Sequence, residues 1–195
     1  MKTLLVNCYK EKSESKIPFY LDMCRPYSEV VVVRAAELKP NFNLKGIDAV
    51  VFSGSQWMLS EQEPPITLID FVRALKLPTL GICFGHQLLG RAFGADVKKG
   101  AVFVEQDEII KVTAEWDVFR GLFPETTMRE SHQEFVTPES VMEIGWEIGA
   151  VSDSCPVEAM RHPELPLFGV QFHPERSGEN GKRLFENFFL KVVQK

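Results

Sequence analysis

The stretch Leu77–Gly94, LPTLGICFGHQLLGRAFG, predicts a buried strand that turns directly into a helix. Pro78–Ile82 is short and apolar, as a strand inside a sheet is, and from Leu88 the apolar residues repeat at helical spacing. Cys83 lies where one element becomes the other, with a glycine two residues away on either side. The segment has the form G-x-C-x-G, which is that of a nucleophile elbow with a thiol in place of the hydroxyl.

The corner at Cys83 is predicted to hold a strained backbone conformation that projects its side chain outward. Side chains at Gly81 and Gly85 would crowd the neighbouring strand and helix, so glycine is needed at both positions. The helix N-terminus carries partial positive charge, which favours a thiolate over a thiol. The backbone N–H of Phe84 points into the same space, where it can donate to an oxyanion. A lone cysteine is usually a small buried hydrophobe, so catalysis here also requires a base.

Apolar runs before this stretch predict the first part of a sheet. The run VVVV in Glu29–Ala35 is typical of a strand buried on both faces. Helices are expected near Ser15–Arg25 and after Pro64-Pro65. This alternation of strands and helices predicts a parallel, doubly wound sheet, to which two further runs contribute strands: Thr3–Asn7 and Ile47–Phe52.

The second half of the chain is less regular and predicts shorter strands of mixed direction. A closing helix is expected over Glu179–Val193. We therefore predict an α/β fold in one domain, residues 1–195, with a mostly parallel sheet, helices on both faces and a few antiparallel strands at one edge. The strands expected in this half are Val102–Val104, Glu108–Thr113, Met128–Ser131, Trp146–Ser152, Val157–Met160 and Leu167–Phe172.

Composition and charge exclude several classes of protein. The net charge is −5 and there is no basic stripe, which argues against a nucleic-acid partner. No apolar run approaches the roughly 20 residues of a membrane helix, and the apolar stretch at the N-terminus is too short for a signal peptide. The cysteines are widely spaced without a C-x-x-C pair, which argues against a disulfide framework or a zinc site and fits the cytoplasm. They are Cys8, Cys24, Cys83 and Cys155.

A candidate base follows the run Leu167–Phe172, in the segment His173-Pro174-Glu175. Residues i and i+2 of an extended chain point to the same side, and Pro174 biases the residue before it toward extended geometry. Glu175 can therefore bind one ring nitrogen of His173 and leave the other to face Cys83, which is the logic of a catalytic triad. Taken alone, the segment would be interpreted as a turn histidine beside a solvated glutamate.

Together, GICFGHQLL and GVQFHPE closely resemble the two motifs of class I (triad-type) glutamine amidotransferases, and the resemblance covers the length of the chain. The segment Ser152–Met160, followed by PLFGVQFHPE, looks most like the glutaminase domain of GMP synthases. The resemblance implies a flavodoxin-like, three-layer fold. It also implies that Cys83 attacks the side-chain amide of glutamine, that ammonia leaves with a proton from His173, and that water hydrolyses the γ-glutamyl thioester. No metal or other cofactor is implied, and the expected partner is a synthase subunit that receives the ammonia.

The same resemblance implies the substrate contacts. The loop after the third strand, Gly54-Ser55, would supply an N–H to the oxyanion. Gln87, one turn past the nucleophile, matches a glutamine that contacts the substrate. Ser131 and His132 match a segment whose backbone holds the α-amino and α-carboxyl groups of glutamine.

Two segments depart from the family pattern and leave alternatives open. Ser55 and Gln56 stand where the family usually has glycine and proline, and a positive φ at Ser55 would cost about 1 kcal/mol or more. The segment Ser131–Glu134, SHQE, differs from the SHGD of GMP synthases and is similar to γ-glutamyl peptidase relatives. We therefore expect a glutaminase that serves a synthase or, as the alternative, a stand-alone γ-glutamyl hydrolase with the same triad. A non-catalytic regulator on this fold is disfavoured by the intact triad.

Overall fold

The computed structural model of the chain describes residues 1–194, and within them the strands form a single mixed sheet. The strands are β1 Lys2–Asn7, β2 Glu29–Arg34, β3 Ala49–Phe52, β4 Thr79–Ile82, β5 Val97–Val112, β6 Glu125–Val136, β7 Glu147–Val151, β8 Ala159–Arg161 and β9 Leu167–Val170. The α-helices are α1 Ser13–Cys24, α2 Ile66–Ala74, α3 Phe84–Phe93, α4 Pro138–Glu143 and α5 Gly178–Asn187, which continues as a π-helical turn over Phe188–Val193.

The strand order brings the two sequence motifs together. The sheet runs β2-β1-β3-β4-β9-β8-β7-β5-β6, and neighbours from β2 to β9 pair in parallel. Ile82 of β4 lies opposite Val170 of β9, and the N–H of Cys83 donates to the carbonyl of Val170 at 2.8 Å. Because carboxyl ends of adjacent parallel strands meet at one edge of the sheet, the chain after β9 passes directly beside Cys83.

The long antiparallel hairpin of β5 and β6 corrects one prediction. Val102–Val104 and Glu108–Thr113 are parts of the single strand β5, which pairs with β6 and shifts register between Lys99 and Val104. The polar residues between the two apolar runs are mostly exposed. A strand with little buried surface shows no alternation of apolar and polar residues. The sequence pattern therefore predicted two short strands where the structure has one long strand.

The valine-rich strand β2 is the second correction, since it is an edge strand and not buried on both faces. It pairs with β1 alone among the described strands, and Val31 and Val32 are 36% and 43% exposed. β-branched residues favour extended backbone wherever a strand lies, so the valine run predicted the strand correctly but not its position in the sheet.

Apolar side chains form two clusters. One cluster takes its α-helical members from α1 and α5, and the other takes them from α2, α3 and α4. The apolar face of α2, with Leu68, Phe71 and Val72, is buried in the second cluster. The prediction of an α/β fold is confirmed. The sheet is mixed and not mostly parallel, because every pair from β9 to β6 is antiparallel. None of the helices in residues 1–194 is both long and apolar enough to cross a bilayer.

Candidate active site

Cys83 occupies the corner between β4 and α3 with φ 52° and ψ −104°, a conformation that L residues rarely adopt. A Cβ at Gly81 would lie 2.5 Å from the carbonyl oxygen of Gly85, and a Cβ at Gly85 would lie 2.7 Å from the carbonyl oxygen of Phe52. Both distances are shorter than backbone atoms tolerate. The two glycines therefore let strand and helix approach closely enough to force Cys83 into its strained conformation.

His173 and Glu175 form a buried pair beside this corner. Nδ1 of His173 is 2.6 Å from Oε1 of Glu175, and each residue is 5% exposed. Burial lowers the pKa of His173, but the Glu175 carboxylate and the Cys83 sulfur together raise it well above its ordinary value. A charged imidazolium at neutral pH can give a proton to a leaving group, which a neutral imidazole does less readily.

A cavity of about 340 Å³ opens above Cys83 and brings most of the predicted site residues together. Its wall includes Cys83, Gln87, Ser131, His132, Ser55, His173 and Glu175. Gly54 and Phe84 do not line the cavity. The N–H of Phe84, in the first turn of α3, has no hydrogen-bond partner within residues 1–194.

The loop after β3 passes against the imidazole. A Cβ at Gly54 would lie 3.1 Å from Cε1 of His173 and 3.1 Å from the Tyr20 hydroxyl, so a side chain there would press on both. The N–H of Gly54 already donates to the Tyr20 hydroxyl at 2.9 Å. Of the two N–H groups in the predicted Gly54-Ser55 pair, only that of Ser55 has no partner in the described part of the chain.

Ser55 does not have the backbone strain that a positive φ would cause. It is not among the residues with positive φ. Its hydroxyl donates to the carbonyl of Cys8 at 2.8 Å and accepts from the N–H of Trp57 at 3.1 Å. The serine therefore stabilises the loop by hydrogen bonds, where the family usually has a glycine.

The loop is also fastened to β6 and to α3. The carboxylate of Glu134 accepts hydrogen bonds from the N–H groups of Leu59 at 2.7 Å and Ser60 at 2.8 Å. Trp57 stacks on Phe84 with ring centroids 5.7 Å apart. These contacts fix the position of the loop relative to Cys83 through both of the elements that flank the site.

We expect Tyr20→Phe to weaken both stability and activity. The variant leaves the buried N–H of Gly54 without an acceptor, which costs about 1–3 kcal/mol of unfolding free energy. Thermal unfolding and glutamate release measure the two effects. Tyr27→Phe is the matched control, since this half-buried tyrosine stacks on Phe189 and should change stability by no more than about 0.5 kcal/mol. Equal effects of the two variants would contradict the role of Tyr20.

Gln87 lines the cavity, but its amide nitrogen faces inward. Nε2 of Gln87 donates to the carbonyl of Glu134 at 2.9 Å and to Oε1 of Gln171 at 3.0 Å. Both of its N–H groups are used, so its oxygen alone is available to a ligand.

Ser131 and His132 lie on β6 at the opposite wall of the cavity. The hydroxyl of Ser131 donates to Glu105 at 2.5 Å, and Glu105 also accepts from Arg129 and Arg176. Burial alone would raise the pKa of Glu105, but these three donors lower it to about 2. Glu105 thus stays ionised and fixes this part of β6 beside Cys83.

Comparison with known proteins adds sequence evidence to this geometry. A sequence profile described as "Glutamine amidotransferase class-I" matches residues 5–192. The chain belongs to the class-I glutamine amidotransferase family. Among curated members, it is 39% identical to one subunit of the glutamine-hydrolysing GMP synthase of Methanosarcina mazei, over 73% of this chain and 72% of that one. It is 37% identical to the corresponding GMP synthase subunit of Sulfolobus acidocaldarius, over 78% and 80% of the two chains.

Solved structures of low sequence identity share the fold of this amidotransferase. A protein from Thermoplasma acidophilum, described as a proposed GMP synthase subunit, has a TM-score of 0.81 and 23% identity, covering 97% of this chain and 92% of that one. A glutamine amidotransferase from Thermotoga maritima has a TM-score of 0.71 and 18% identity, covering 96% and 82%. The architecture is thus preserved where most residues differ.

A buried acidic cluster lies behind the cavity wall of this amidotransferase. Glu130 and Glu158 are both fully buried, and Oε2 of Glu130 is 3.3 Å from Nε2 of His132. The ring of His132 donates from Nδ1 to the carbonyl of Glu134, since a carbonyl can only accept, so Nε2 carries a lone pair when the ring is neutral. Burial raises the pKa of Glu130 to about 8 and lowers that of His132. Glu130 therefore holds its proton to a higher pH than an exposed glutamate does.

Three side chains of this region could hold a metal ion. His132, Cys155 and Glu158 offer ligand atoms within 4.8 Å of one another, and all three are buried. Burial raises the pKa of Cys155 and of Glu158 well above their ordinary values. Burial therefore favours the protonated forms of both groups, which bind metal ions less well than the ionised forms do.

Glu130→Gln is expected to stabilise the protein increasingly as pH rises. The folded-state pKa of Glu130 is raised from 4.5 to about 8, so its contribution to stability is full below 4.5 and is lost as pH rises through 8. Glutamine has a similar volume and cannot ionise. The melting temperatures of variant and wild type, compared at pH 5, 7 and 8.5, should diverge with pH. The exposed control Glu143→Gln should follow wild type, and a pH-independent difference for Glu130→Gln would contradict the assignment.

Tyr20, Gln171 and the acidic cluster are site components that the sequence did not reveal. Gln171 had a detectable signal, because it lies two residues before His173 and so faces the same side of an extended segment. Tyr20 lies in α1, far from either motif, and nothing in its sequence context indicates a contact with Gly54.

Proposed function

We propose that this protein hydrolyses L-glutamine to glutamate and ammonia through a Cys83–His173–Glu175 triad. The observation that carries the proposal is a thiol on a strained strand–helix corner, facing a buried histidine whose other nitrogen is held by a carboxylate. Membership of a family of glutamine amidotransferases supports glutamine as the substrate.

In the first half-reaction, the Cys83 thiolate attacks the carbonyl carbon of the side-chain amide of glutamine. The oxygen of the tetrahedral intermediate takes the negative charge and accepts hydrogen bonds from the N–H groups of Phe84 and Ser55. Nε2–H of His173 gives its proton to the amide nitrogen, the C–N bond breaks and ammonia leaves. The product on the enzyme is a γ-glutamyl thioester.

In the second half-reaction, His173 is neutral and acts as the base. It takes a proton from water, and the oxygen attacks the thioester carbon in the same oxyanion environment. The C–S bond breaks, glutamate leaves, and the Cys83 thiolate and the protonated His173 are restored. Glu175 holds the ring in the orientation that both steps need.

The ammonia would pass to a separate synthase subunit. Relatives named as subunits of glutamine-hydrolysing GMP synthases support a partner of the same kind, which would make this chain a GMP synthase-like glutaminase. We further infer one domain over residues 1–195, a flavodoxin-like three-layer core and a cytoplasmic location. The parallel strand order β2-β1-β3-β4-β9 and the profile match over residues 5–192 support the first two.

The size of the cavity favours a second candidate, a stand-alone γ-glutamyl peptide hydrolase. The wall beyond the triad is formed by large apolar side chains from three elements, and at about 340 Å³ it has room for a leaving group larger than ammonia. Those side chains are Phe19, Trp57, Met58 and Phe103.

Glutamate release from glutamine and from a γ-glutamyl dipeptide, measured side by side, tests the proposal. A higher kcat/KM for glutamine supports the amidotransferase. A higher value for the dipeptide supports the hydrolase, and release from neither substrate, with or without an added synthase partner, contradicts both.

A further inference from the structure

Two polar groups other than His173 lie against the sulfur of Cys83. Nε2 of Gln171 donates to Sγ at 3.5 Å, and the carbonyl oxygen of Ser131 is 3.8 Å from Sγ. Gln171 is fully buried, so no water competes for its amide. A thiol can donate to the carbonyl of Ser131, whereas a thiolate can only accept, and Gln171 supplies a donor for it.

The orientation of the Gln171 amide is determined by its neighbours. The carbonyl of Glu134 can only accept, so it fixes the Nε2 end of the Gln87 amide toward itself. The second hydrogen on that nitrogen points to Gln171 and must meet an oxygen. Oε1 of Gln171 therefore faces Gln87, and its Nε2 faces the sulfur. The carbonyl of Glu134 thus determines which end of the Gln87 amide and which end of the Gln171 amide donate hydrogen bonds.

We propose that Gln171 is the hydrogen-bond donor that stabilises the thiolate form of Cys83, and that Gln87 is a positioning residue that holds the Gln171 amide in the donating orientation. This inference rests on Cys83 being the nucleophile of the proposed function. A hydrogen bond to an ionised acceptor is roughly twice as strong as one between neutral groups, so the amide favours thiolate over thiol.

The same donor serves both half-reactions. Before attack it lowers the free energy of the thiolate and holds Sγ at one position above the corner. During thioester hydrolysis the sulfur leaves as a thiolate, and the amide again donates to the negative charge as the C–S bond breaks. In the neutral thioester between these steps the bond is weak, so the interaction is strongest where sulfur carries charge.

Alkylation of Cys83 by iodoacetamide, followed against pH, tests the proposal without requiring glutamine turnover. Gln171→Leu removes the donor with little change in volume, and Gln171→Glu keeps an acceptor for Gln87 but replaces the donor by an oxygen. For both variants we expect the midpoint of the rate profile to move up by about one pH unit and the rate at pH 7 to fall about tenfold. The exposed Gln106→Leu is the control and should follow wild type.

Gln87→Leu should produce a smaller shift in the same direction, and combining it with Gln171→Leu should add nothing further, because both act through one hydrogen bond. Near-UV circular dichroism verifies that each variant is folded. A folded Gln171→Leu protein with the wild-type pH profile overturns the proposal. If wild type releases no glutamate from any γ-glutamyl substrate while the profile shifts as expected, the proposed function fails and the thiolate donor stands.

Discussion

Cys83→Ala is expected to lower glutamate release by about 10⁴-fold or more, to the level of the blank. Without the thiol no γ-glutamyl thioester forms, and the remaining oxyanion donors cannot replace a nucleophile. Steady-state glutamate release from saturating glutamine measures the effect, with mass spectrometry of the denatured protein to detect the acyl-enzyme in wild type only.

Cys24→Ala is the matched control for this variant. Cys24 is a fully buried cysteine outside the cavity, and burial raises its pKa to about 12, so its thiol stays protonated. We expect the control to retain activity. Its stability should fall only by the amount that packing of the buried sulfur contributes. Substantial release by Cys83→Ala, or loss of activity in the control at unchanged folding, would show that the nucleophile lies elsewhere.

Glu175→Gln is expected to lower kcat by about 10³-fold while the fold is retained. The carboxylate holds Nδ1 of His173 at 2.6 Å, and with Cys83 it outweighs the lowering effect of burial on the pKa of His173. An uncharged amide removes the largest of these raising effects, so burial prevails and the imidazole becomes neutral at lower pH. A neutral ring is a weaker acid toward the leaving amide nitrogen than the imidazolium is.

The pH dependence of stability gives Glu175→Gln a second readout. The folded-state pKa of His173 is raised, so its contribution to stability is full below the unfolded value of 6.5 and is lost as pH rises through the folded value. Wild type should therefore lose stability from neutral toward alkaline pH, and the variant should lose less over that range. The exposed control Glu179→Gln should keep the wild-type slope. Wild-type kcat in the glutamine variant would refute the role of Glu175.

The sequence was most informative where local sterics decide the structure. The glycines around Cys83 predicted the corner, because it depends on a few adjacent residues. The pairing of His173 with Glu175 was predicted from extended geometry, but Pro174–Arg176 form a 3₁₀ turn that begins directly after His173, and the carboxylate reaches Nδ1 from that turn. Apolar runs likewise located β1, β3, β4 and β9 within one or two residues.

Features set by contacts between distant parts of the chain were not predictable. The edge position of β2 depends on which strand adds beside β1, and the continuity of β5 depends on pairing with β6. The hydrogen bond from Gly54 to Tyr20 joins residues 34 positions apart, and that from Gln171 to Cys83 joins residues 88 apart. No local pattern encodes either contact.

The central position of β9 has a consequence for the order of events during synthesis. Strands β1 to β4 and the corner at Cys83 leave the ribosome first, yet β9 is the neighbour of β4 in the finished sheet. Until residues 167–175 follow, the parallel half of the sheet lacks its inner partner, and the thiol has neither its amide donor nor its base. A growing chain therefore carries an incomplete site long after the nucleophile has emerged. The arrival of one late segment then completes the parallel half of the sheet and the site together.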